Sequence, residues 1–200
     1  MENENFSKEE SFNLIAKMIS QAKNEYTDNG KGWLVWGWLL FGASSASALL
    51  KHIEQTKYIS WLWNVMGILV LVNFIYEISR RKTVKVKTYV EEMLDKFSAG
   101  FFISLITTII ASGLAGNGFA FGYYFILYAF WMYIYGSAIH FKPLIIGAFV
   151  NWAAAIIIFI VDDFKCGMII AAIAVLVGYL IPGYMLRNQY QQSHNGNNGV

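Results

Sequence analysis

Few side chains in this 200-residue sequence have types and spacings that could do chemistry. Asn73 and Glu77 lie four residues apart in an otherwise apolar run, so on a helix they share one face. An ionisable group in such a run is by default a place to look for proton or cation binding. Arg80 and Arg81 follow Glu77 at i+3 and i+4, so the same carboxylate also fits an interfacial ion pair. Tyr124, Tyr128, Trp131 and Tyr135 recur at i, i+4, i+7 and i+11, which makes one aromatic stripe along a helix. Aromatic residues near the ends of a spanning helix belong to interface belts, but Tyr128 and Trp131 fall too deep for that. Their O–H and N–H groups need partners inside a bundle or in a wet cavity. The stripe therefore fits either helix packing or a pocket for a lipophilic or cationic ligand. Asn151, beside Trp152, and Asn64 are amides within apolar runs; such groups bond a neighbouring helix or contact a substrate.

Other chemistries lack the residues they need. No acidic pair lies in the apolar runs, and no G-x-x-x-x-G-K-S/T, G-x-G-x-x-G or H-E-x-x-H motif occurs. The single Cys166 excludes an internal disulfide and any cysteine-based cluster. Of the histidines, His52 is expected on the opposite side of a membrane from His140 and His194. Asp162 and Asp163, beside Lys165, read as solvated turn residues. The expectation is a non-enzymatic chain with no catalytic residue, metal, cofactor or nucleic-acid partner.

The elements that must position these residues are written in the composition. Hydrophobic residues make up 56% of the chain and charged ones 14%, with a mean hydropathy of +0.44. A soluble domain carries roughly 25% charged residues and spreads them along every helix. Here long uncharged runs alternate with short polar connectors. A membrane-crossing helix needs about 20 mostly apolar residues. Stretches near 33–50, 58–78, 98–116, 120–139, 143–161 and 166–186 qualify. The fold class expected is therefore all-α, a polytopic membrane protein with six transmembrane helices over residues 32–186. Pro143 suits a helix start, whereas Pro182 should kink or end the sixth span. Short connectors make the last four spans antiparallel neighbours.

Lysine and arginine set the orientation. With the N-terminus inside, twelve of the 15 fall on cytoplasmic segments and only Lys51, Lys57 and Lys165 on outer ones. The expected location is a bacterial inner (plasma) membrane with both termini cytoplasmic. The run WLVWGWLLFG followed by Ala46-Ser47-Ala48 has the form of a signal-peptide core. Its long, acid-bearing lead-in favours an uncleaved anchor, with the small residues from Gly42 to Ala48 admitting another helix. Trp33 and Trp36, on one side beside Lys31, read as an interfacial belt. Trp38 points the other way, toward another span.

Outside the spans, residues 1–31 are expected to form an amphipathic cytoplasmic helix, capped by Ser7 and Glu10. Its apolar face over residues 7–26 fits docking on the bundle, a homo-oligomer, a membrane-protein partner or the lipid surface. In the inner loop 79–97, Arg80, Arg81, Lys82, Lys85 and Lys87 form a basic cluster. It either contacts lipid head groups or simply enforces orientation. From Thr88 the loop becomes a second amphipathic helix along the inner interface. The tail 187–200 is polar and expected to be disordered. The segment LIAKMISQAK and the WGW start of the first span resemble those of uncharacterised bacterial six-span integral membrane proteins. That resemblance implies no activity. The functional expectation is action through helix contacts, as a scaffold or regulatory subunit. The alternative is a small transporter or channel using the aromatic stripe and the Asn73/Glu77 face.

Overall fold

The computed structural model describes residues 28–81, 89–115, 121–161 and 163–196. These residues form helices and no strand: α1 Lys31–His52, α2 Thr56–Arg81, α3 Tyr89–Ala115, α4 Phe121–Ala138, α5 Lys142–Val161 and α6 Phe164–Val175. A π-helical turn, Leu176–Leu180, then joins α6 to α7, Ile181–Gly196. Four helical rods are long and apolar enough to cross a membrane: Lys31–His52, Val90–Leu114, Lys142–Val161 and Phe164–Gln192. In α4 six tyrosines and tryptophans lower the hydropathy, and in α2 Lys57, two asparagines, Glu77 and two arginines do so. The outer surface agrees with an apolar solvent. Large side chains such as Ile75, Ile103, Ile146 and Ile160 point away from the bundle, whereas a soluble protein exposes such groups in small patches.

The centre of the bundle is built by α1, α4, α5 and the α6–α7 rod, with α2 leaning on α1 and α3 on α4. Small residues bring the central helices together. Ala43, Ser44, Ser47 and Ala48 are all buried on α1, as the small-residue run predicted. The closest approach lies between α5 and the π turn. A Cβ built on Gly147 would stand 2.1 Å from the Gly178 carbonyl oxygen, and one on Gly178 would stand 2.5 Å from Asn151 Nδ2. Pro182 does not end the sixth helix. A proline cannot donate to the carbonyl four residues back and its ring crowds that carbonyl. The chain widens by one residue just before it, and the Ile181 amide bonds the Leu176 carbonyl.

Turn chemistry explains the hairpins. His140 has φ +56°, its amide bonds the Ser137 carbonyl and that of Phe141 bonds the Gly136 carbonyl. Glu54 closes α1 in the same way, with bonds to Lys51 and, through Gln55, to Leu50. Both are Schellman caps with a side chain in the left-handed position. Pro143 occupies the first turn of α5. Asp163 caps α6, its Oδ1 accepting from the Cys166 amide at 3.1 Å. That bond holds the Asp163 carboxyl below its ordinary range. Asp163 is thus an exposed turn residue, as expected, that also caps a helix.

Several sequence expectations change here. The amphipathic segment after Thr88 is no separate interfacial helix, since Tyr89–Ala115 runs as one rod. The last helix continues to Gly196, into the stretch expected to be disordered from 187. Trp33 is no belt residue: it is 6% exposed and packs on Tyr135 and Tyr179. Trp38, expected to point toward another span, is 52% exposed, and its indole does reach one, donating to the Tyr184 hydroxyl of α7 at 3.1 Å. The amphipathic helix over 7–26 lies outside the described residues.

Candidate functional site

At one end of the bundle, Lys165 Nζ sits 3.1 Å from His52 Nδ1, joining the end of α1 to the start of α6. Toward that end lies a cavity of about 210 Å³, reached by every helical rod of the bundle. Leu40 and Ser44 come from α1, Trp63 and Gly67 from α2, Leu105 and Ile109 from α3. The opposite wall holds Tyr124, Phe125 and Tyr128 of α4, Asn151 of α5 and Tyr179 of the π turn. The lining is mainly apolar and contains no charged residue. A smaller cavity of about 60 Å³ adjoins it, between Trp36, Phe101, Trp131, Tyr128 and Tyr179.

The polar groups around the main cavity divide into two sets. Tyr124 shares a hydrogen bond with Ser112 Oγ at 3.1 Å. The Trp63 indole donates to Ser47 Oγ at 3.0 Å. Asn151 is 1% exposed, and its Nδ2 donates to the Gly147 carbonyl at 2.8 Å and contacts Met132 Sδ at 3.6 Å. The Tyr124 hydroxyl, the Trp63 indole and the Asn151 amino group thus have protein partners. The hydroxyls of Ser44, Tyr128 and Tyr179 have no hydrogen-bond partner among the described residues, nor does the more exposed Asn64 amide. Ser44 is 3% and Tyr179 6% exposed. A buried hydroxyl without a partner carries a desolvation cost of about 1–3 kcal/mol, so such groups mark a place where something else belongs.

At the other end, Asp28 closes the bundle. Its carboxylate accepts from the Gly30 amide at 3.0 Å, from the Trp33 indole at 3.1 Å and from the Tyr135 hydroxyl. Gly30 has φ +67°, and a Cβ there would stand 2.9 Å from the Arg187 amide, so α1 begins directly against α7. Trp33 lies 4.9 Å ring to ring from Tyr179, and Tyr179 lies 6.4 Å from Tyr128. The aromatic column therefore runs from the Asp28 clamp to the cavity.

The residues singled out in the sequence do not form one site. Tyr124, Tyr128 and Asn151 meet in the main cavity. Trp131 stacks on Phe101 at 5.6 Å and faces the smaller one. Tyr135 belongs to the Asp28 clamp. Asn73 is half-buried on α2 and lines neither cavity. The side chains of Glu77, Arg80 and Arg81, and the residues Lys82, Lys85 and Lys87, lie outside what is described. Asp28 and Tyr179 were not anticipated. A turn-forming Asp28-Asn29-Gly30 before an apolar run, and a lone tyrosine between Gly178 and Pro182, are the signals that point to them. Among the described residues no cluster of three or more His, Cys, Asp or Glu is placed to hold a metal ion. Compared with protein-family models, curated proteins and solved structures, the chain matches none of them.

Proposed function

We infer that this chain is a six-span protein of a bacterial plasma membrane, both termini cytoplasmic, that binds a small lipophilic molecule within its bundle without enzymatic chemistry. The observation that carries the reading is the cavity bounded by all the helical rods, with unpartnered hydroxyls on its wall. A bundle acting only through its outer faces has no use for such a space, because an empty apolar cavity forfeits dispersion contacts. Uptake, release or sensing of a lipophile all begin with this binding step. The scaffold or regulatory-subunit reading rests on residues 7–26, which lie outside the described residues, and on the scarcity of charge in the apolar runs.

The test is thermal stabilisation of the protein in detergent by aromatic hydrocarbons of increasing size. Ligands that bind only the native state raise its stability by mass action. The expected result is a maximum at one or two rings and a fall toward four. Stabilisation that rises steadily with apolar area, or none at all, overturns the pocket. Orientation has its own check in Cys166, an exposed cysteine and the sole one in the sequence. A membrane-impermeant maleimide added to intact cells is expected to label it from outside. Labelling only after permeabilisation contradicts the assigned orientation.

A further inference from the structure

Three features of the cavity wall restrict what it can hold. The first is charge. No acid or base lines the cavity, so an ion placed there has no counter-charge, and an unpaired ion in a low-dielectric interior is costly. Aromatic faces attract cations, but the desolvation of an ammonium without a carboxylate partner opposes that gain. The occupant is neutral.

The second feature is size. A volume of about 210 Å³ is somewhat larger than the roughly 150 Å³ apolar cavity that takes benzene. It accepts a ring and a few further atoms and is far too small for a whole phospholipid. The third feature is hydrogen bonding. Tyr128 and Tyr179 line both cavities, and their hydroxyls find no acceptor among the described residues. The Asn151 amide, which also faces the main cavity, already donates to the Gly147 carbonyl. From Tyr128 and Tyr179 the wall offers a ligand O–H donors, beside the side-chain amides of Asn64 and Asn151.

Access follows from the packing. α2 and α3 both supply wall residues, Gly67 and Val70 on one side and Leu105 and Ile109 on the other. Yet α2 rests on α1 and α3 on α4, and the two scarcely touch each other. Among the described residues this side of the cavity is not sealed by helix packing.

We propose that the cavity takes a neutral, ring-sized lipophile bearing a hydrogen-bond acceptor such as a ketone or ester carbonyl, bound by the hydroxyls of Tyr128 and Tyr179 and admitted from the bilayer between α2 and α3. The proposal rests on the pocket reading above and names its ligand class. Any alkyl chain on the ring leaves through the gap between those helices.

Octanophenone and octylbenzene separate the two ideas, because they share a ring and an alkyl chain and differ in the carbonyl. Each is titrated against the purified full-length chain in dodecylmaltoside, and apparent affinities are taken from the rise in melting temperature. Wild type is expected to bind the ketone about ten-fold more tightly, the scale of one or two net hydrogen bonds. In Tyr128→Phe/Tyr179→Phe, which keeps the ring shapes and removes both donors, the two ligands are expected to agree within about two-fold. Octylbenzene binding wild type as tightly as the ketone overturns the acceptor proposal and leaves the pocket standing. Neither compound stabilising wild type overturns the pocket itself. The wild-type comparison decides even where the double variant does not fold.

Discussion

Gly147→Val is expected to abolish assembly of the bundle, and Gly147→Ala to weaken it. The opposing effects can be compared directly. Replacing a glycine inside a helix by alanine gains up to about 1 kcal/mol through backbone entropy. Against this, the new Cβ stands 2.1 Å from the Gly178 carbonyl oxygen, 3.0 Å from its carbon and 2.8 Å from Met132 Cε. Met132 is flexible and can yield, but the carbonyl belongs to the backbone of the π turn and cannot swing aside alone. Overpacking of a filled interior costs about 1–3 kcal/mol, so alanine is expected to destabilise by about 1–2 kcal/mol net and valine by more. Small residues at helix crossings have this role in bilayers, where apolar burial itself drives no association. Gly42 is the internal control. A Cβ there meets nothing within 4 Å, so Gly42→Ala is expected to be neutral or slightly stabilising. Thermal unfolding in detergent, read for the three variants side by side, checks both signs. A Gly147→Val protein that melts with wild type would show that the crossing is not close-packed.

Gly67→Leu is expected to do the reverse, preserving the fold and removing the site. Gly67 lies within α2 and lines the main cavity, and a Cβ built on it meets nothing within 4 Å. Leucine there has open space to enter, is a better helix former than glycine by roughly 0.8–1 kcal/mol, and fills volume that a ligand needs. Melting temperature is expected to equal or exceed that of wild type in the absence of ligand. Lipophile affinity is expected to fall by more than ten-fold, because the ring no longer fits beside Tyr128 and Tyr179. Most substitutions that weaken binding also weaken folding, which makes them hard to interpret. A stabilising substitution that eliminates binding has no such ambiguity.

How much of this was legible in the sequence depends on the range of the interaction concerned. The helices could be read because each is a local property of an apolar run, and their ends because Pro143 and the short polar connectors mark them. The spacing of Tyr124 and Tyr128 puts both on one helix face, set by the 3.6-residue period alone, and both line the main cavity. Which groove the stripe faces depends on neighbours far away in sequence. That is why Trp131 and Tyr135 left the site, one to a side cavity and the other to Asp28. The tryptophans of α1 show the same limit. Depth and charge favoured a belt at Trp33, but the Asp28 carboxylate five residues earlier accepts its indole N–H and turns it inward. Trp38, with only Tyr184 to bond, remains on the outside. Tyr179 was invisible for a further reason. A regular helical wheel puts it at i+4 from Val175 and i+7 from Ala172, on the buried face, but the cavity it lines is completed by residues of other helices, and no spacing within the sixth span reports those.

The most direct measurement of the central claim is the amount of lipophile that accompanies the protein out of its native membrane. Wild type and Gly67→Leu would be purified in parallel in a mild detergent, extracted with organic solvent, and the extracts quantified by mass spectrometry per mole of chain. A binding pocket predicts a ring-sized, carbonyl-bearing compound near one per chain in wild type and nearly absent from Gly67→Leu. Equal amounts of every extracted compound in the two preparations would contradict it.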